Sequence, residues 1–290
     1  MDACMAVAED EHGIVIAHIL TVISYHHSLI PPLLYSHGHI YGDGEYTPQD
    51  DISKEELFAM CLDAITTRYS KRMCLYIEVS DLSQKMFGYE ALKRCGFFRV
   101  QWQEVHNSLH SMPPADRLSP KMTKEIQEAK THSLTSSLAQ PGTEDMRTAY
   151  KLLKAHLAPK LRRSIPPRTM IEEMAKGGFC NVFVSKWSGH IIGTCVCIYS
   201  RGNAYMWLLA SRRKTFLKLH PDTFTVWTAL THAHTMACAH MYFMDVGMPF
   251  KRGGLRDFIL GFGGKPVSKY RWFKTPFAFV NNILGWCLGE

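Results

Sequence analysis

Two stretches of the sequence resemble each other, and this repeat limits the possible folds more than any other feature. Residues 6–22 and 182–198 each contain an apolar run, a polar turn that ends in glycine, and a second apolar run. Gly13 in the first stretch corresponds to Gly189 in the second. Two apolar runs joined by such a turn predict a β-hairpin in each stretch.

The segments that follow each hairpin also repeat. A helical pattern precedes a β-rich run, which leads into a short helix ending in glycine and aromatic residues, and then into another strand. The matched pairs are 53–69 with 222–238, 72–81 with 239–248, 89–98 with 254–264, and "RVQWQEV" with "KYRWFKT". The offset of about 165–176 residues is too long for a solenoid, whose repeats run about 20–50 residues. It predicts a duplicated α/β domain with a mixed (α+β) sheet.

A segment rich in proline and serine joins the two copies. It encloses a helical pattern that starts after Ser119, a good N-cap, with Pro120 at the first helical position. Lys121, Lys124 and Lys130 give this helix a basic, exposed face. We predict an N-terminal domain over 1–112, a linker with a basic helix over 113–142, and a C-terminal domain over 143–290. The second copy has about 40 residues before its hairpin, so the first lacks the opening strand and helices, or the sequence starts after them.

Length and composition suit a globular protein of two domains. The chain has 290 residues and a mass of 33.1 kDa. No apolar run reaches the roughly 20 residues that span a bilayer, and the first residues lack the pattern of a signal peptide. We therefore expect a cytoplasmic protein without integral membrane association. Nine scattered cysteines without a C-x-x-C motif predict reduced thiols, and Cys195 and Cys197 share a face of one strand.

The net charge of +7 favours an anionic partner. It leaves open a phosphate-bearing cofactor, RNA, a membrane surface or simply solvated lysines. The sequence has no G-x-S-x-G motif, no P-loop and no dinucleotide fingerprint, which argues against a hydrolase, an NTPase and a dehydrogenase.

The order of motifs resembles the GNAT acyltransferase superfamily. "YEALKRCGFF" is similar to the helix followed by Gly-Phe that ends many GNAT domains, and "GLRDFILGFGG" to a Gly-Leu-x-x-Phe-Lys-x-x-Phe-Gly-Gly motif. Two such domains in tandem, joined by a basic helix, resemble the FemAB-like branch over nearly the whole chain. That resemblance implies transfer of aminoacyl groups from tRNA to peptidoglycan precursors, while relatives in the superfamily use acetyl-CoA.

The sequence departs from the family pattern at two points. Ile259 stands where the motif has lysine, so a contact made by that lysine is missing. Neither half has the Gln/Arg-x-x-Gly-x-Gly/Ala loop that holds the CoA pyrophosphate. The acyl donor therefore stays open between aminoacyl-tRNA and acetyl-CoA.

The resemblance places the reaction centre in the second domain. GNAT folds stabilise the reacting carbonyl with a main-chain N–H exposed between two diverging strands. Asp245 ends the β-rich run and is the carboxylate that accepts a proton or orients the acceptor amine, or alternatively bonds a turn. Tyr205 and Ser211 complete the predicted catalytic set. Trp207 shares a face with Tyr205 and binds substrate, or packs in the core.

Basic residues follow two predicted strands. Arg212 and Arg213 come directly after Ser211, and Lys265, Lys269 and Arg271 lie in and before "KYRWFK". Guanidinium and ammonium groups bind phosphate, so we predict that these five residues bind substrate; an edge strand explains the "KYRWFK" pattern equally well. A further basic cluster is Lys160, Arg162, Arg163 and Arg168. His234 and Cys238 have the i, i+4 spacing of a zinc-binding pair, but no further clustered ligand accompanies them, so no metal is expected. His37 and His39 are assigned to a glycine-rich loop.

Three functions fit these observations. The first is a FemAB-like transferase that moves an acyl or aminoacyl group to an amine of a cell-envelope precursor or related metabolite. The alternatives are an acetyl-CoA-dependent N-acetyltransferase and a degenerate, non-catalytic binding protein. The expected partners are an anionic substrate and, for the first function, tRNA; the oligomeric state is left open. The apolar C-terminal segment, "FAFVNNILGWCLGE", docks on its own domain or touches a membrane surface.

Overall fold

The computed structural model describes residues 2–29, 32–72, 74–80, 87–157, 165–249 and 253–288. Contacts between Cα atoms divide the chain into two compact units. Unit 1 combines residues 1–102 with 268–290, and unit 2 contains residues 103–267. The boundaries predicted above, 1–112, 113–142 and 143–290, describe folding domains and stay a prediction.

Unit 1 is a mixed sheet with two helices packed on one face. Its elements are β1 (Asp2–Glu9), β2 (Val15–Leu29), β3 (Pro32–Tyr41), β4 (Glu45–Tyr46), α1 (Lys54–Lys71), β5 (Tyr76–Ser80) and α2 (Tyr89–Arg94). The chain leaves unit 1 within β6 (Phe98–Ser108), returns within β12 (Lys265–Lys274), and ends in α8 (Ala278–Leu288). The strand order is β1-β2-β3-β5-β12, with β4 beside β2. β3 and β5 run parallel, and the other described pairs are antiparallel.

The core of unit 1 lies between α1 and the sheet. Phe58 and Leu62 of α1 are buried with Ile19, Val79 and Trp272 of the strands. A capping box between Ser53 and Glu56 starts the helix, which satisfies two of its free N–H groups.

The loop predicted around His37 and His39 is a strand. Both histidines lie in β3 and point to the face opposite the core, where Val22 and Ser24 are their partners in β2. The prediction was wrong because glycine in this segment was taken as a sign of a loop. Gly38 lies under the ring of Tyr69, and a Cβ at this position would come 3.0 Å from Cζ of that ring and closer still to other ring atoms. This glycine therefore permits close packing and does not mark a turn.

Unit 2 is a sheet with helices on both faces. After β6 come α3 (Pro120–Thr131), β7 (Thr135–Leu138), α4 (Glu144–Leu157), α5 (Arg168–Lys176), β8 (Cys180–Trp187), β9 (His190–Ser200), β10 (Asn203–Ser211), α6 (Pro221–Thr235), β11 (His240–Gly247) and α7 (Gly254–Leu260). The strand order is β6-β11-β10-β9-β8-β7. One apolar cluster joins α6 and α7 to the sheet, and a second joins α4 and α5 to the other face. Cys195 and Cys197 are both fully buried in the first cluster.

The predicted basic helix is α3, and it packs into unit 2. Ser119 caps it by accepting a hydrogen bond from the main-chain N–H of Met122. Met122 and Ile126 are buried, while Lys121 and Lys124 stay exposed and lie near glutamates one turn further along the helix.

The two units repeat the same series of elements, as the sequence predicts. The series β1, β2, β3, α1, β5, α2 corresponds to β8, β9, β10, α6, β11, α7, and the hairpin turns contain Gly13 and Gly189 at φ of 77° and 78°. The α/β class with a mixed sheet is therefore confirmed. The described part of unit 1 starts at β1, whereas β7, α4 and α5 precede the corresponding β8 of unit 2. In the described residues, no helix is both long enough and apolar enough to cross a membrane.

Candidate functional site

The parallel strands β10 and β11 separate soon after they meet. Their described pairing covers three residue pairs and ends at Met206 with Phe243, although β10 continues to Ser211 and β11 to Gly247. On its other side, β10 has a bulge at Trp207 against β9, which increases the local twist. Beyond Met206, main-chain groups of β10 that face β11 have no strand partner among the described residues. A carbonyl placed in this opening can reach a main-chain N–H.

The corresponding strands of unit 1 stay paired. β3 and β5 pair over five residues, from His37 with Tyr76 to Tyr41 with Ser80. The main-chain N–H of Gly42 then donates to the carbonyl of Ser80 at 2.8 Å, so the contact continues past the end of β3. Within the described parts of these two strand pairs, only unit 2 has the opening.

A buried carboxylate and histidine lie beside the opening, on β6. His106 pairs with Tyr242 of β11, and its Nε2 lies 3.0 Å from Oε2 of Glu104. The side chains of Glu104 and His106 are only 8% and 10% exposed. A shift in register places residues 244–246 of β11 against the single residue Glu104. The pair is thus held next to a bulge of the strand that borders the opening.

Aromatic rings connect the Glu104–His106 pair of β6 to the neighbouring strands β11 and β10. Tyr242 meets His106 edge-on, with ring centroids 4.5 Å apart, and stacks on Tyr205 of β10 at 5.0 Å. His240 also stacks on Tyr242, with ring centroids 5.7 Å apart. Burial raises the pKa of the Tyr205 phenol, and Tyr242 adds to the effect. Burial also lowers the pKa of His240, with smaller contributions from His110 and His106. Both shifts favour neutral groups at neutral pH.

The predicted catalytic residues all lie on the strands that border the opening. Tyr205 and Ser211 belong to β10, with Ser211 half-buried at its end. Asp245 belongs to β11, in the segment opposite Glu104; the placement of its side chain lies outside the described part of the structure. Trp207 sits at the bulge and packs with the cluster on the α4 face. Its predicted role in substrate binding, like the catalytic roles, remains a prediction.

Arg212 and Arg213 are exposed in the connection from β10 to α6. Nη1 of Arg213 lies 3.3 Å from Oδ2 of Asp222, in the first turn of α6. Burial raises the pKa of Asp222, while Arg213 and main-chain hydrogen bonds oppose that shift. The positive charge of Arg213 is therefore partly neutralised by the Asp222 carboxylate.

The start of α6 does not fit the pyrophosphate of an acyl-CoA. Pro221 occupies the first helical position and has no N–H to donate. Against the larger effect of burial, main-chain N–H groups of Thr223 and Asp222 lower the pKa of the Asp222 carboxyl, and Oε2 of Glu125 accepts from the hydroxyl of Thr223 at 2.5 Å. An anion placed here would meet two carboxylates.

The basic residues of β12 divide between the two units. Lys265 is exposed and belongs to unit 2, whereas Lys269 and Arg271 belong to unit 1. Nη1 of Arg271 lies 3.1 Å from Oε1 of Glu78, and its guanidinium stacks 4.3 Å from the ring of Trp102. Arg271 is thus held inside unit 1. Lys160, Arg162 and Arg163 lie outside the described residues, and Arg168 pairs with Glu172 along α5.

Glu104, His106 and Tyr242 are site residues that were not predicted from the sequence. The motif Glu-Val-His in "QWQEVHNS" places two polar side chains on one strand face with an apolar residue between them, and this was the available signal. Their position beside the opening depends on the pairing of β6 with β11, which no local pattern predicts.

Comparison with known proteins agrees with this architecture. Residues 121–252, all within unit 2, match the model of the acetyltransferase (GNAT) domain family. FemX is 12% identical, with a TM-score of 0.60, and the match covers 100% of this chain and 90% of that one. L-PGS from Bacillus licheniformis is 11% identical, with a TM-score of 0.63 and the same coverage. A tandem GNAT protein from the clavulanic acid biosynthesis pathway is 12% identical, with a TM-score of 0.54, covering 94% of this chain and 83% of that one.

A search by sequence among curated proteins found no match. Residues 121–252 of unit 2 therefore match an acetyltransferase (GNAT) domain, and the chain has the fold of tandem GNAT proteins. The resemblance to the GNAT superfamily predicted from the sequence is confirmed over residues 121–252, and the fold is shared with FemX and the tandem GNAT protein.

Proposed function

We propose that the protein transfers an acyl or aminoacyl group to an amine, with the reaction centre in unit 2. One observation supports this above all others: β10 and β11 part after three residue pairs, directly beside the buried Glu104–His106 pair. Such an opening is what a GNAT-type transferase needs to hold the acyl carbonyl, and the corresponding strands of unit 1 are closed.

Each part of the site has a task in this reaction. The amine attacks the carbonyl carbon, and a main-chain N–H of β10 stabilises the negative charge on oxygen. His106, oriented by Glu104, accepts the amine proton directly or through one water molecule. The new C–N bond forms as the bond from carbon to the donor oxygen or sulfur breaks, and the proton passes to that leaving atom. Asp245, Tyr205 and Ser211 border the reacting groups and orient the acceptor.

Aminoacyl-tRNA fits as donor better than acetyl-CoA. The turn at Pro221 and Asp222 offers no cradle for a pyrophosphate, and the net charge of +7 favours a large polyanion. Arg212, Arg213 and Lys265 of unit 2 would contact donor phosphates. The acceptor is an amine of a cell-envelope precursor or related metabolite, a choice that follows from the FemAB-like resemblance.

The test combines donor binding with turnover. The full chain is incubated with tRNA charged with radiolabelled amino acids and a peptidoglycan-precursor peptide that has a free lysine amine. We expect label in the peptide, heat on titration with charged tRNA, and no heat with acetyl-CoA. Heat with acetyl-CoA instead would favour the N-acetyltransferase, and binding of neither donor class would contradict both transferases.

A non-catalytic binding protein is the second candidate, and one residue favours it. Ile259 replaces the lysine of the family motif and is 2% exposed in the core of unit 2, so this position offers no polar contact. Binding without turnover, unchanged by Asp245→Asn, is the result expected for such a protein. An active enzyme should instead lose turnover with that substitution and keep its fold.

A further inference from the structure

The last helix, α8, is attached to unit 1 along the side that holds Asn281 and the half-buried Val280, Leu284, Gly285 and Leu288. Asn281 is the buried residue of the helix, and its side chain makes three hydrogen bonds with Thr275, at 2.7, 2.7 and 3.0 Å. One turn further, Gly285 faces Phe98 of β6, where an added Cβ would come within 3.2 Å of the Phe98 Cβ. Polar bonds, a glycine contact and these half-buried aliphatic residues therefore hold the helix in place.

The opposite side of α8 is an exposed apolar stripe. Phe279, Ile283 and Trp286 are 66%, 56% and 73% exposed, and their spacing places them on one face, away from Asn281 and Gly285. Phe277, just before the helix, is also exposed. Residues 278–288 contain no charged side chain. Exposed aromatic residues in a contiguous patch mark an interaction surface.

The chain around α8 is strongly basic. Residues 87–102 and 268–288 form α2, the start of β6, the end of β12 and α8. They contain six cations (Lys93, Arg94, Arg99, Lys269, Arg271 and Lys274) and one anion, Glu90. Lys93 is paired with Glu90, and Arg271 with Glu78 of β5. Two attractions hold peripheral proteins to an anionic bilayer: insertion of apolar side chains and electrostatic attraction to the lipid headgroups. The apolar stripe and the basic residues around it supply both. Two copies of the chain meeting through this surface would bring like charges together.

We propose that α8 binds an anionic lipid surface, lying in the plane of the membrane with Phe277, Phe279, Ile283 and Trp286 inserted between the lipids. The helix of 11 residues is about 16 Å long, too short to cross a bilayer and long enough to lie on one. This inference goes beyond the proposed transfer reaction and does not depend on it.

Vesicle binding of the full chain tests the proposal. Sucrose-loaded vesicles of phosphatidylcholine, and others of phosphatidylcholine with phosphatidylglycerol, are sedimented with the parent protein. The same is done with a variant carrying Phe279→Ser, Ile283→Ser and Trp286→Ser. The matched control carries Met60→Ser, Leu217→Ser and Met236→Ser, three apolar residues of comparable exposure elsewhere. Thermal unfolding establishes that both variants are folded.

We expect binding to the anionic vesicles and at least a tenfold loss of partitioning in the α8 variant, with the control equal to the parent. Raised salt should weaken binding, and brominated lipids should quench Trp286 fluorescence. Absence of binding to anionic vesicles, or equal binding by the α8 variant, would overturn the proposal. Concentration-dependent dimers that only the α8 variant lacks, without vesicle binding, would assign the stripe to a second copy instead.

Discussion

The Glu104–His106 pair gives the most direct prediction for a single residue. If His106 is the general base, His106→Asn should lower turnover by about 10²–10⁴-fold and leave donor binding unchanged, because the imidazole acts on the acceptor proton. Activity should recover partly at high pH, where the amine deprotonates without help. Turnover measured across pH, with His132→Asn on the exposed end of α3 as control, checks this. Loss of donor binding in the His106 variant would instead assign His106 a structural role.

His39 in unit 1 makes a prediction about pH and stability. Burial, with a contribution from Arg271, lowers the pKa of His39 to about 3, and its Nε2 lies 2.6 Å from the hydroxyl of Ser80. The unfolded chain therefore binds more protons than the folded chain between pH 3 and 6.5. The contribution of neutral His39 is fully present above pH 6.5 and is lost as pH falls, by up to about 1.4 kcal/mol per unit.

Urea unfolding of the parent and of His39→Gln at pH 7 and at pH 5 tests this. The free energy of unfolding should fall less with pH in the variant, because glutamine can still bond Ser80 and does not titrate. Equal slopes would contradict the shift assigned to His39.

Residue type and spacing predicted those features of the structure that depend on residues close together in the sequence. The capping role of Ser119 and the burial of Cys195 and Cys197 follow from residue type and spacing. His37 and His39 were placed in a loop because their segment is rich in glycine, although the ring of Tyr69 is what requires Gly38. That contact joins residues far apart in the sequence, as does the pairing that brings His106 to Tyr242. Local patterns cannot predict either one.

At the scale of elements, the position of α6 against the sheet depends on Gly193 of β9. A Cβ there would come 2.9 Å from the carbonyl oxygen of Pro221, and closer to Oγ1 of Thr225. Gly193→Ala should therefore destabilise the protein by about 1–3 kcal/mol through overpacking. Gly254→Ala is the control, because its Cβ would meet nothing within 4 Å. Urea denaturation should separate the two variants, and an unaffected Gly193 variant would mean that α6 can shift freely.

The difference between the open and closed strand pairs predicts which main-chain N–H groups a bound donor protects from hydrogen exchange. Hydrogen exchange followed by mass spectrometry should show slower exchange for peptides covering 207–211 when charged tRNA is added, because the acyl carbonyl bonds main-chain N–H groups there. Peptides covering 37–41 should not change, since β3 is already paired with β5. Protection of 37–41 alone would place the donor in unit 1 and contradict the proposed site.

For the whole molecule, the repeat predicted two copies of one series of elements, and the structure has them. The periodicity did not predict that the last strand and helix return to unit 1, because β12 carries the same pattern whichever sheet it joins. Trp272 of β12 is 1% exposed and belongs to the core of unit 1, where it lies opposite Val79 of β5. The fold of unit 1 therefore depends on both ends of the chain.

This dependence predicts how fragments behave. A fragment of residues 1–112 lacks Trp272, whose loss from a core costs about 3–5 kcal/mol, and it leaves β5 as an uncovered edge. It should show no cooperative unfolding and should be cut rapidly by protease, whereas 103–267 should fold alone. Adding a peptide of residues 265–288 should restore a transition in 1–112, and the same peptide with Trp272→Ala should not. A cooperative transition of 1–112 by itself would show that the first copy folds without β12, and the predicted boundary at residue 112 would then describe a true folding domain.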